Sequence, residues 1–230
     1  MLYAAVIGSG ETCFEPALIL YSSGGKDFNE LALNIEECSK KYPEISSSVT
    51  GIKRDLPVYS SIFQMISEEN KEFSKIFSIE PDKERYKTQI KTSECFPEIK
   101  DKIEVLNAAI PTHKSYPNEE IREAGENFVR GYSEKLDLVM EKWTVLGIGE
   151  SLGEVTKKDI YEFFTNLTKL LKPNGILLFA EPIYELFGKS YEKELEEKVK
   201  EFLNPFKLYA KKIEVLKKNW VVVKAKKIKL

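Results

Sequence analysis

YAAVIGSGETCFEPALIL, residues 3–20, joins a five-residue apolar run to a helix-like pattern through Gly8-Ser9-Gly10. Tyr3 to Ile7 has no polar break, as a strand buried on both faces of a parallel sheet requires. Phe14, Ala17, Leu18 and Tyr21 return at helical spacing, and Pro16 is tolerated only in a first helical turn, so a helix starts directly after the glycines. Gly8 and Gly10 leave backbone N–H groups uncovered at this junction. The helix N-terminus beyond them adds a positive end, so the turn is a candidate ligand cradle.

Working outward, Asp27 with Glu30 forms a capping pattern before Phe28, Leu31, Ala32, Ile35 and Cys38, which share one helical face. SSVTGIKRD, 47–55, reads as strand two and its exit, and Val58, Ile62, Met65 and Ile66 mark a further helix. Residues 78–101 are polar, charged and without clear period, as in an insertion. KIEVLNAAI, 102–110, is strand three, and a second polar stretch, 111–135, holds a short helix near 118–130. Both polar stretches are candidate substrate loops.

LDLVMEKW, 136–143, is strand four, followed by a glycine-containing connection, GIGESLGE. Thr156 and Asp159 cap a helix whose Ile160, Phe163, Phe164, Leu167, Leu170 and Leu171 fit the amphipathic template. KPNG ends that helix, and ILLFAEP is strand five. After a helix near 190–203, FKLYAKKIEV and NWVVVKAKKI form a closing antiparallel hairpin. The lysines of this ending lie on its solvated face and discourage edge pairing. The alternation of strands and helices predicts an α/β fold: a doubly wound, mostly parallel seven-stranded sheet with an antiparallel C-terminal hairpin, in a single domain over 1–230.

Composition narrows the partners. With 35 Lys and Arg against 37 Asp and Glu, a net charge of −2 gives no global attraction to nucleic acid. The longest apolar runs are strand-length, short of a membrane span, and the first strand begins too near Met1 for a signal peptide, so a cytoplasmic protein is expected. Cys13, Cys38 and Cys95 lack a Cys-x-x-Cys spacing and have only His113 to join them, which reads as reduced thiols with no metal site. His113 itself reads as a solvated loop residue.

In an open α/β sheet the ligand crevice lies beyond the C-terminal strand ends, beside strand one. The third glycine of the dinucleotide fingerprint is replaced by Cys13, which disfavours a pyrophosphate cofactor.

The order of IGSGET, VTGIKRD, LNAAI, LDLVMEKWTVLG, LLKPNGILLFAEP and terminal hairpin resembles the class I S-adenosylmethionine-dependent methyltransferases along essentially the whole chain. GETCFEPALIL is also similar to the glycine-glutamate segment of the CheR-type receptor glutamate methyltransferases. The resemblance implies that Gly8, Ser9 and Gly10 line the methionine part of S-adenosylmethionine, with Glu11 near its amino group. It implies an acid at the end of strand two that accepts from both ribose hydroxyls. The matching position is Lys53, a donor, with the carboxylate of Asp55 two residues on. Asn107 and Ala108 match the place after strand three that meets the adenine edge, where Asn supplies both donor and acceptor.

Glu141 to Trp143 would end strand four beside the sulfonium. Methyl transfer is a direct displacement, which asks the protein for alignment and exclusion of water, and Glu141 and Glu181 are the general bases if the acceptor is a hydroxyl. MEKWTVLG lacks the Asp/Asn-Pro-Pro-aromatic signature of enzymes that methylate base amino groups, so the acceptor is expected to be a small molecule or a protein side chain. Two alternatives stand beside this: a catalytically silent relative serving as a binding or scaffold module, prompted by Lys53 and by the weak first-motif acid, and an NAD-dependent oxidoreductase.

Overall fold

The apolar run at the head of the chain is strand β1 (Tyr3–Ile7), with Ala4 to Ile7 all buried. The computed structural model describes residues 1–8, 10–111, 116–142, 155–182, 192–216 and 220–229. The further strands are β2 (Lys75–Ile79), β3 (Ile103–Leu106), β4 (Leu136–Lys142), β5 (Leu171–Pro182), β6 (Leu208–Leu216) and β7 (Trp220–Lys227). They follow the order β3-β2-β1-β4-β5-β7-β6 in a seven-stranded mixed sheet. β2 is parallel to β1 and β3, and β5 to β4, whereas β7 is antiparallel to both β5 and β6. The doubly wound sheet with its closing hairpin is therefore as the alternation predicts. Residues group into two compact units, Met1–Asn107 and Ala108–Leu230.

In the first unit, α1 (Phe14–Ser23) is buried from Phe14 to Ser22, as a helix apolar on nearly every side must be. Asp27 caps α2 (Phe28–Lys41), its side chain accepting from the Asn29 N–H, and Leu31, Ile35 and Cys38 form the buried stripe. α4 (Leu56–Ser67) has Pro57 in its first turn, where the missing N–H costs nothing. Its Tyr59 hydroxyl donates to Glu15 Oε1 of α1 at 2.5 Å. α5 (Lys83–Ser93) starts at Asp82, whose Oδ1 accepts from the N–H groups of Glu84 and Arg85.

Three expectations are corrected here. Residues 47–55 are not strand two but helix α3 (Ser46–Arg54) and its exit. Val49 and Ile52, three apart, are the buried pair, and Thr50 Oγ1 donates back to the Ser46 carbonyl. Helical packing overrides the β preference of Val, Thr and Ile. The second strand is Lys75–Ile79, so 78–101 is no insertion: it holds the end of β2, then α5 and its exit. Finally, Cys38 and Cys95 form a disulfide, 57 residues apart in sequence, and only Cys13 is a free cysteine. No motif marks that pairing, because α2 and the exit of α5 meet only in the fold.

In the second unit, α6 (Glu119–Gly131) fills most of the polar stretch 111–135 and buries Ile121, Gly125, Phe128 and Val129. α7 (Lys157–Leu170) carries the expected capping box between Thr156 and Asp159. KPNG falls inside β5 rather than in a turn before it, with Asn174 at φ 67° and a register shift against β4 between Leu136 and Leu138. α8 (Glu192–Leu203) buries Leu195, Val199 and Leu203. Phe164 of α7 meets Phe179 of β5 edge-on at 5.4 Å and Phe202 of α8 at 4.9 Å, forming an aromatic core.

Gly125 lies against the Ala109 carbonyl, and a Cβ there would overlap it. The contact is held by the Ala109 N–H, which donates to the Ile121 carbonyl one turn earlier in α6. Gly125→Ala is therefore expected to cost about 2 kcal/mol by overpacking, read as a lower urea midpoint.

Among the described residues no helix is long and apolar enough to cross a membrane, and no cluster of His, Cys, Asp and Glu suits a metal ion.

Candidate functional site

The glycine turn follows β1 directly. Gly8 continues the parallel pairing, its N–H donating to the Ile79 carbonyl of β2 at 2.9 Å, and it then turns at φ 72°. Gly10 sits at φ 66°, a left-handed conformation that strains any other residue, and a Cβ built on it would meet nothing within 4 Å. The main chain is thus bare of side chain on that side, but its N–H groups are not uncovered as expected: that of Gly8 donates to Ile79 and that of Gly10 to the Glu80 carboxylate.

Opposite the turn stands a residue that the sequence reading missed. Glu80 follows the last residue of β2 and is 3% exposed. Its Oε2 accepts from the Gly10 N–H at 3.1 Å, and its Oε1 accepts from the Asp82 N–H at 2.9 Å. Burial pushes its carboxyl up to about 7, against the pull of these two N–H donors and of the nearby Arg85 guanidinium. A carboxylate is held here although the surroundings disfavour its charge, and such groups cluster at functional sites.

Asn107, one residue beyond β3, braces the same corner: its Nδ2 donates to the carbonyls of Glu80 at 2.8 Å and Pro81 at 3.1 Å. From the other side, α5 reaches the turn through Gln89. Its Nε2 donates to the Gly10 carbonyl at 2.6 Å, while its Oε1 accepts from Ser78 Oγ of β2 at 2.8 Å. Thr92 Oγ1 accepts from the Cys13 N–H at 3.2 Å. Cys13 Sγ donates to the Gln89 carbonyl, and burial pushes this thiol up to about 12, so it is no nucleophile at neutral pH.

The remaining predicted residues are scattered. Glu11 accepts from Ser48 Oγ of α3 at 2.6 Å. Lys53 lies in the last turn of α3, paired with Glu36 at 2.9 Å, and Asp55 follows that helix, its Oδ1 accepting from Arg54 Nε at 3.2 Å. Neither ends a strand, so the placing of Lys53 at the end of strand two is corrected: the residue directly after β2 is Glu80. Ala108 is buried at the start of the second unit.

Ser9, His113, Trp143 and the GIGESLGE connection lie outside the described residues.

In the second unit Glu141 and Glu181 are fully buried near the C-terminal ends of β4 and β5. Glu141 is in register with Phe179, two residues before Glu181, so both carboxylates project from the same face of neighbouring strands.

No family model matches the chain, and no curated protein matches it. Among solved structures it is similar to a SAM-dependent methyltransferase from Aquifex aeolicus, at 12% identity over 99% of this chain and 82% of that one, with TM-score 0.43. It is also similar to a 30S ribosomal A1408 methyltransferase from an uncultured bacterium, at 11% identity over 99% and 88% of the two chains, TM-score 0.49. A third similar structure, a fibrillarin/Nop5p complex, gives 14% identity over 99% and 73%, TM-score 0.46.

Proposed function

We propose that this protein is a methyltransferase that uses S-adenosylmethionine. The observation that carries the reading is Glu80: an acid directly after β2, buried, and bonded to the glycine turn that follows β1. A carboxylate at that place can accept from both hydroxyls of a ribose. Gly10 leaves main chain bare for the methionine part, and Asn107 braces the Glu80–Pro81 backbone on the adenine side. The residues present therefore suit the group.

Bound S-adenosylmethionine supplies a methyl carbon open to direct displacement. The chain's own contribution is to orient and to keep water out, and to hold the acceptor's proton. We assign that last part to Glu141 and Glu181, with a small molecule or a protein side chain as acceptor; the latter follows the likeness of GETCFEPALIL to the receptor glutamate methyltransferases. Glu80 directly after β2 removes Lys53 as a reason for a silent relative.

An acid after β2 would serve the ribose of NAD as well. Cys13 in place of the third glycine and the antiparallel β7 favour the sulfonium cofactor over the dinucleotide. Calorimetric titration separates the two: heat with S-adenosylhomocysteine and none with NADH is expected, and the reverse would replace this reading with the oxidoreductase. In the same titration Gly10→Val is expected to weaken S-adenosylhomocysteine about tenfold or more, since a β-branched residue there is strained and projects into the bare side. Helical circular dichroism should be unchanged; unaltered affinity would remove Gly10 from the site.

A further inference from the structure

Helix α5 is inverted relative to ordinary amphipathic helices. Its buried residues are the polar Gln89 and Thr92, both 0% exposed, while Ile90 is 46% exposed. Polar groups in such positions cost free energy unless they are bonded, and an apolar residue would fill the same space without that demand. What Gln89 does with its two ends explains its presence. Ser78 Oγ donates to Oε1 and so fixes the orientation of the amide, and Nε2 then points at the Gly10 carbonyl. The Gly10 N–H is taken by Glu80. Both peptide planes flanking Gly10 are thereby held by buried side chains from β2, from the residue after it and from α5.

We infer that Gln89 is the positioning residue of the glycine turn, holding the Gly10 carbonyl and with it the backbone angles at Gly10, so that the Gly10 N–H stays on Glu80 and the bare face stays open to the cofactor. The inference rests on the methyltransferase reading for the identity of the ligand, but its geometry is testable without one. Removing the donor leaves the carbonyl of the Gly10–Glu11 peptide without this partner, so that peptide turns, the backbone angles at Gly10 shift with it, and the N–H of the preceding peptide leaves Glu80. The carboxylate then loses a hydrogen bond that favours its charged form, and its titration moves upward. A residue that merely filled the core would lower stability and leave that titration alone.

The test is a carboxyl-detected NMR titration of Glu80 in the ligand-free protein, run on wild type, Gln89→Met and Thr92→Val. Gln89→Met keeps length and volume but loses both side-chain hydrogen bonds; Thr92→Val removes the bond from the Cys13 N–H and the bond from its own hydroxyl to the Gln89 main-chain carbonyl, and leaves the Gln89 amide and Gly10 untouched. The expected result is an upward move of the Glu80 midpoint in Gln89→Met only, with S-adenosylhomocysteine bound about tenfold more weakly. Ser78→Ala, which frees the amide to rotate, should give the same change in smaller degree and serves if Gln89→Met does not fold. An unmoved Glu80 midpoint in these variants overturns the inference. Wild type that titrates as described but binds no S-adenosylhomocysteine overturns the methyltransferase reading instead, and leaves Gln89 as the holder of the turn.

Discussion

Glu80→Gln is expected to weaken S-adenosylhomocysteine binding about a hundredfold, and at pH 8 to make the protein more stable, not less. The loss follows from replacing a charged double acceptor by an amide with one acceptor: each hydrogen bond to a charged group contributes about 1.5–3 kcal/mol, and one ribose hydroxyl would face a donor. The gain follows from linkage. The folded-state midpoint of Glu80, about 7, lies above its ordinary 4.5, so between those values the folded protein holds a proton that the unfolded chain has lost. Stability therefore falls as pH rises through that interval and is level above it.

At about 1.4 kcal/mol per pH unit, the span from 4.5 to about 7 amounts to roughly 3 kcal/mol of destabilisation at pH 8. Glutamine removes this charge cost but presents a donor to either the Gly10 or the Asp82 N–H, forfeiting about 1 kcal/mol, which leaves a net gain of about 2 kcal/mol. Urea unfolding at pH 5 and pH 8 checks it: the wild type should lose stability between them and the variant should not. A variant less stable than wild type at pH 8, with binding intact, would make Glu80 a structural acid.

Reduction of the Cys38–Cys95 disulfide is expected to lower stability by about 4 kcal/mol, on the order of a 10 °C fall in melting temperature. The crosslink closes a loop of 57 residues, and its constraint on the unfolded chain grows with the logarithm of that length. The other ties at this junction are weak. Tyr42 Oη donates to Glu94 Oε2 at 3.1 Å, and Lys41 and Lys91 pair with Glu94 and Glu44 at 3.6 and 3.7 Å, all at exposed side chains. Exposed pairs of this kind contribute little. The double variant Cys38→Ser, Cys95→Ser should melt like the protein treated with dithiothreitol. An unchanged melting curve on reduction would show that the tie carries no load.

How far these features were legible in the sequence follows from where each residue finds its partners. β1 was legible because nothing polar interrupts Tyr3 to Ile7, and α7 because Thr156 and Asp159 cap it locally. The hairpin was legible from its alternation. β2 was not: Lys75-Ile-Phe-Ser-Ile79 is short and mixed, while SSVTGIKRD offers three β-branched residues that tertiary packing turns into a helix. That single misplacement put Lys53, and not Glu80, at the end of strand two. A signal for Glu80 was present in EPDKE: an acid after an apolar run, then Pro, which cannot extend a central strand, then Asp as a helix N-cap. Gln89 carried no such signal, because a glutamine in a charged stretch reads as solvated until its partners on β2 and the glycine turn are seen.

Proton release on binding tests directly whether Glu80 receives the ribose. Two hydroxyl donors favour the carboxylate, so binding lowers the midpoint of Glu80 from about 7. Calorimetric titration with S-adenosylhomocysteine at pH 7, in two buffers of different ionisation enthalpy, is predicted to show release of about half a proton per ligand, falling toward zero at pH 8.5. Binding with no proton exchanged at pH 7, or with uptake, would contradict it.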